Sequence, residues 1–138
     1  MPLTSIPLRQ HENIKKNATQ LANIIRAGEL EENTRVAEKI VKKLLLEITS
    51  HLKIEDEKVY PALESHSDTR VRKIAGAFRD EMGQIAPRVV TWGECWSDSR
   101  ISSEPDAFIN ETRGIFQVLK NRIEREEKEL YPLLKNLT

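Results

Sequence analysis

Along four long stretches of this chain apolar residues recur at steps of three and four, interrupted at a few polar positions, so that each stretch carries its apolar side chains on one face of a 3.6-residue helix. The first stripe runs His11, Ile14, Ala18, Leu21, Ile25, and the second Val36, Ile40, Leu44, Ile48, His51, Glu55, Val59, Ala62. The third runs Val71, Ile74, Phe78, Met82, Ile85, Val89, Trp92, Trp96, and the fourth Phe108, Thr112, Ile115, Leu119, Arg122, Glu126, Leu130, Leu133. An up-down-up-down four-helix bundle is the simplest all-α fold that buries four such stripes. Helices of about 30 residues would span ~45 Å at 1.5 Å per residue.

The punctuation agrees. Gly28 is a suitable stop for the first helix, Asn33 precedes the second, and Ser67 or Asp68 the third. Ser103 followed by Pro105 and Asp106 marks the start of the fourth. The links near residues 28–33 and 65–69 are short, which predicts antiparallel neighbours, and the polar stretch Ser97–Ser103 is read as the longest loop. Pro61 and Pro132 fall near helix ends, whereas Gly83 and Pro87 fall mid-stripe and are expected to bend the third helix beside Met82.

Composition narrows the function classes. The 138 residues suit one domain, residues 1–138, with a single core. Twenty-two Lys and Arg balance twenty-two Asp and Glu, leaving no net field to attract nucleic acid or an anionic membrane. No apolar run approaches the ~18 residues of a membrane span. The opening Met1-Pro2-Leu3-Thr4-Ser5 has no secretion-signal character, and the lone Cys95 rules out an internal disulfide framework. The expectation is a cytoplasmic protein. A homo-oligomer is compatible with the sequence but not predicted by it, although Trp92 and Trp96 are candidates for an association surface.

Chemistry enters through a repeat. His51-Leu52-Lys53-Ile54-Glu55-Asp56-Glu57-Lys58-Val59-Tyr60-Pro61 returns 71 residues later as Arg122-Ile123-Glu124-Arg125-Glu126-Glu127-Lys128-Glu129-Leu130-Tyr131-Pro132. Glu, Tyr and Pro coincide, but His51 becomes Arg122, and the same offset takes His11 to Met82. His11, His51, Glu55, Arg122 and Glu126 occupy stripe positions where an apolar residue belongs. Burying such groups without partners costs several kcal/mol each. They must therefore satisfy one another or a bound ion. Each pair, His51 with Glu55 and Arg122 with Glu126, sits four residues apart on one helical face.

This pattern resembles the hemerythrin-like (HHE) cation-binding family over nearly the whole chain. The resemblance implies a four-helix bundle built to hold two irons bridged by two carboxylates. It places metal ligands at His11, His51, Glu55 and Glu126, with Tyr60-Pro61 and Tyr131-Pro132 following the two acids. It also implies oxygen, nitric oxide or iron handling, with dioxygen, nitric oxide or peroxide as small-molecule partner. Two expected histidines are missing, replaced by Met82 and Arg122, and both would have served the same metal.

Met is a soft, poor ligand for a hard ferric ion, and Arg stays protonated at neutral pH. The guanidinium instead carries a fixed charge and a fork of donors matched to carboxylates. Arg122 is therefore expected to fill the place of the missing metal and to pair with Glu55 and Glu126. What remains is a site for one ion, iron first, with zinc or manganese also suited to two imidazoles and one or two carboxylates. A second divalent ion would face that permanent cation, at roughly 4 kcal/mol of repulsion per unit-charge pair at 4 Å.

Two other readings stand beside this one. The first is a metal-free bundle, an interaction or sensing module, in which Arg122 and the two acids balance each other. The second is a mononuclear-iron enzyme that consumes peroxide. Beyond the metal residues the sequence offers catalysis no nucleophile–base pair, phosphate loop or cofactor motif. Met82, Tyr60 and Tyr131 are read as packing residues, Cys95 as an ordinary small side chain, His66 as solvated, and the acidic run Glu124–Glu129 as solvated apart from Glu126.

Overall fold

The four stripes become four long helices. The computed structural model describes residues 3–135, and there is no strand among them. Residues 1, 2 and 136–138 of the expected domain, and with them the opening Met1-Pro2, lie outside the described residues.

Helix α1 spans Ser5–Arg26. It stops as expected at Gly28, whose φ of 71° is easily reached only without a Cβ. There the Gly28 N–H donates to the Ile25 carbonyl and the Glu29 N–H to the Ile24 carbonyl, both at 3.1 Å, the paired closure of a Schellman motif. Helix α2 spans Thr34–Ile54. Asn33 holds its cap position, but its side chain donates backwards to the Glu29 carbonyl at 2.7 Å instead of capping. Helix α3, Tyr60–Glu64, continues α2 after a wider turn at Glu55–Val59. Helix α4, Thr69–Cys95, is capped by Asp68, which accepts the Arg70 N–H at 2.8 Å.

The segment read as the longest loop is helical. Residues Asp98–Ser103 form a short helix, α5, because Ser97 caps it and Ile101 anchors it, fully buried, in the core. Ser103 therefore ends α5, and Glu104 takes the cap position of α6, Pro105–Arg125, with Pro105 at its first turn. A wide turn at Glu126–Leu130 and a tighter one at Tyr131–Leu134 complete the helical course of the described residues.

The four long helices form a ring in which α1 packs on α2 and α6, α2 on α4, and α4 on α6. Neighbours run antiparallel: His11, early in α1, meets His51, at the end of α2, and Glu126, just beyond α6. Gly93, late in α4, lies so close to Leu45 of α2 that a Cβ there would come within 2.9 Å of it.

The two wide turns have one cause in sequence. A proline ring collides with the carbonyl four residues before it in a regular helix and offers no N–H. Just ahead of Pro61 and Pro132 each helix widens by one residue. The Tyr60 N–H reaches back five residues to the Glu55 carbonyl, and the Tyr131 N–H likewise to Glu126. The extra residue rotates everything after it. The regular stripes expected Ala62 and Leu133 in the core; both are only partly buried, and Tyr60, Leu63, Tyr131 and Leu134 are buried instead. Val36 and Ile74, also on the expected stripes, are exposed.

Two apolar clusters fill the bundle. One includes Ile14, Leu44, Ile48, Val89, Trp92, Leu119 and Ile123; the other Val59, Leu63, Val71, Phe78, Leu130 and Leu134. On α2, α4 and α6 the ligand-type positions fall between them: His51 and Glu55, then Met82, then Arg122 and Glu126. Trp92 and Trp96 are buried in the first cluster, Trp92 donating to Thr112 Oγ1 at 2.9 Å, so they present no association surface. No described helix is long and apolar enough to cross a membrane.

Candidate metal centre

His11 projects from the second turn of α1 and His51 from the last turn of α2, while Glu55 and Glu126 open the two wide turns. All four side chains are buried. His11 Nε2 lies 3.1 Å from His51 Nε2 and 2.9 Å from Glu126 Oε1, and His51 Nε2 lies 3.3 Å from the same oxygen. Ligand atoms of these three residues all lie within 4.8 Å of one another. Glu55 stands beside them rather than among them. Its Oε2 is 3.3 Å from His51 Nε2, and its Oε1 is buried with no hydrogen-bond partner.

The outer nitrogens fix what the inner ones can do. His11 Nδ1 lies 2.7 Å from Glu127 Oε2 and His51 Nδ1 2.9 Å from Gln10 Oε1. Both partners are acceptors, so each imidazole donates from Nδ1 and, when neutral, turns a bare Nε2 lone pair inward. Two lone pairs and a carboxylate oxygen then face one another at hydrogen-bond distance with no proton among them. Atoms bound to one ion at about 2.1 Å would sit roughly 3.0–3.4 Å apart at octahedral to tetrahedral angles, and the observed separations match. The outer acceptors also follow the usual support of metal-bound histidine. The donor set fits a metal ion.

Across Glu126 the environment changes. Its Oε2 accepts from Arg122 Nε at 3.1 Å while its Oε1 faces the imidazoles. Arg122 also donates through Nη2 to Tyr60 Oη at 2.8 Å and through Nη1 to Glu81 Oε1 at 3.3 Å, and its Cζ lies 4.6 Å from the centre of the Phe78 ring. Half of the expected pairing is observed: Arg122 holds Glu126, but it makes no ion pair with Glu55. The fork is already filled by Glu126, Tyr60 and Glu81, and Glu55 turns instead to Tyr131 Oη at 2.9 Å. Met82 is buried, as a packing residue should be.

Charge within the cluster is redistributed. Burial disfavours an imidazolium at His51, but the hydrogen bonds and charges of Glu126 and Glu55 outweigh it and push its pKa from 6.5 up to about 9. For Glu126 the burial penalty is overcome by hydrogen bonds from His11 and His51, which hold it well below the usual carboxylate range. Glu55 moves the other way, raised by burial and by the neighbouring Glu126 charge. Burial and the same acids push the Tyr131 phenol far up.

Five residues at the site escape the stripe argument: Gln10, Glu81, Glu127, Tyr60 and Tyr131. Glu127, on a run expected in solvent, instead meets His11, and the two tyrosines, expected only to pack, make hydrogen bonds within the site. The repeat itself points to two of them, because Gln10 and Glu81 are related by the same 71-residue offset as His11 and Met82. Gln10 holds His51, and Glu81 holds the equivalent Arg122. His66, expected in solvent, is partly buried and accepts the Asp68 N–H at 3.0 Å.

The sequence model of the hemerythrin HHE cation-binding domain matches residues 4–134 of this chain. No curated protein and no solved structure matches it.

Proposed function

We propose, for a chain that belongs to the hemerythrin HHE cation-binding domain family, that it binds at most one metal ion, through His11, His51, Glu126 and Glu55, with Arg122 standing where a second would lie. The observation that carries this reading is the pair of inward Nε2 atoms 3.1 Å apart, each with its outer nitrogen committed to an acceptor. Iron is the first choice, and zinc or manganese fit the same donors. When bound, a single iron supplies one redox-active Lewis-acid centre for a small molecule such as dioxygen, nitric oxide or peroxide. Holding dioxygen as peroxide takes one electron from each of two irons, so the role belongs to oxygen sensing, nitric oxide or iron handling rather than to two-iron oxygen carriage. His11 and His51 bind, Glu127 and Gln10 orient them, and Arg122 neutralises the far side of Glu126.

Metal analysis of protein loaded with ferrous iron tests the proposal. The expected result is one ion per chain, lost in His11→Ala and in His51→Ala. Two ions per chain, or unchanged content in those variants, would overturn it. A Met82→His, Arg122→His double variant is expected to gain a second ion. The metal-free reading is favoured by one observation of its own: with His51 charged, Arg122 and His51 balance Glu55 and Glu126 without any ion. Absence of bound metal under every loading condition would select it, and peroxide turnover proportional to bound iron would move the protein into the enzyme class.

A further inference from the structure

We infer that Tyr131 is a ligand of the ion, its phenolate oxygen binding the ferric state. The inference deepens the single-metal reading above and rests on it.

Tyr131 Oη reaches all four proposed ligands. It lies 2.9 Å from Glu55 Oε2, 3.2 Å from Glu126 Oε1, 3.2 Å from His11 Nε2 and 3.5 Å from His51 Nε2. A phenol has one proton to donate. Given to Glu55, the nearest acceptor, it leaves the phenol lone pairs facing the Glu126 oxygen and two imidazole nitrogens that are bare in the neutral state a metal requires. Neutral packing does not call for that arrangement. A tyrosine at a stripe edge would turn its hydroxyl to solvent or to one partner, as Tyr60 does in accepting a single bond from Arg122. Five donor atoms with so few protons among them form a shell for a cation, and Tyr131 Oη belongs to that shell as fully as the imidazoles do.

The backbone supplies the aim. Without the widened turn at Glu126–Leu130, residue 131 would leave the buried face; the extra residue brings its ring within 5.3 Å of the His11 ring, nearly parallel to it. The chemistry also favours an oxygen anion, since a hard ferric ion prefers carboxylate and phenolate oxygen to softer donors. On ligation the Tyr131 O–H bond breaks and an iron–oxygen bond forms. The proton passes along the existing hydrogen bond to Glu55 Oε2 and is then released to buffer, and no electrons are transferred in the step.

The test is spectroscopic. Protein loaded anaerobically with ferrous iron and oxidised with ferricyanide is expected to show a visible phenolate-to-ferric charge-transfer band, with resonance-enhanced phenolate ring modes in the Raman spectrum. Tyr131→Phe should lose the band while retaining iron. Because the chain contains two tyrosines, Tyr60→Phe leaves Tyr131 as the sole source, and a band kept in that variant supports the inference even if Tyr131→Phe fails to fold. Bound ferric iron without the band, or a band that survives Tyr131→Phe, overturns the role of Tyr131 and leaves the single-metal reading standing. Failure of the wild-type protein to bind iron overturns both.

Discussion

The halves of this protein share a backbone and differ in charge. In the first, Gln10 supports His51, His51 stands four residues before Glu55, and a wide turn delivers Tyr60. In the second, Glu81 supports Arg122, Arg122 stands four residues before Glu126, and a wide turn delivers Tyr131. The tyrosines cross: Tyr60 meets Arg122, while Tyr131 meets the imidazoles. The guanidinium in one half and the imidazole in the other thus occupy equivalent places in the repeat. The support changed in kind: a neutral amide oxygen suits an imidazole N–H, and a carboxylate suits a cation. The comparison teaches that the second half presents a covalently tethered positive charge to Glu126 at the position where the first half presents an imidazole.

The sharpest way to break the comparison is to remove that charge. Arg122→Ala strips Glu126 Oε2 and Tyr60 Oη of their partner in a buried setting, and should cost roughly 3–5 kcal/mol in urea unfolding. A loss below about 1 kcal/mol, the level of an exposed ion pair, would mean that Arg122 compensates nothing.

Next in size is a pH dependence belonging to the imidazole half alone. In the metal-free protein the raised pKa of His51 contributes stability that is complete below pH 6.5 and lost as pH climbs through about 9. The span corresponds to roughly 3 kcal/mol. A metal bound by His51 would hold it neutral, so the unfolding midpoint of metal-loaded protein should not fall over the same window. Equal losses in both forms would separate His51 from the metal.

A finer distinction concerns the supports. Glu127→Gln weakens the acceptor behind His11 without touching the Arg122 side, and metal affinity should drop by about 10–100-fold. Competition with a chromogenic chelator would measure it, and an unchanged affinity would leave Glu127 as a surface acid near His11 by coincidence. Smallest of all, Glu81→Gln removes a partly exposed charge from the Arg122 side, and should leave metal affinity alone while lowering stability by up to about 1 kcal/mol. Burial of Glu81 is slight, and its carboxyl is held below the ordinary range first by Arg125 and then by Arg122.

Much of this was legible from residue spacing. His11, His51 and Glu126 converge as their stripe positions require, because a side chain on the inward face of one helix meets the inward faces of the others. The face of Glu55 follows from spacing, but its turn toward Tyr131 does not, since side-chain pairing depends on which partners fill the Arg122 fork. Periodicity failed at Ala62 and Leu133 because it presumes a regular helix, and the proline-induced widening moves the buried face by one residue. That slip also hid the inward turn of Tyr60 and Tyr131. Ser97 and Ile101 define a short helix where spacing predicts a loop, because one cap and one anchor are too few to make a periodic pattern.

One consequence follows from the divided carboxylate of Glu126. With Oε2 held by a guanidinium that cannot dissociate, that acid never loses its counter-charge, whatever happens at Oε1. Domains whose buried acids depend on an exchangeable ion tend to collapse or unravel when the ion departs. If the single-metal reading holds, removal of the ion should leave this acid paired and the fold intact, so that protein stripped by a chelator keeps its helical content and takes up metal again.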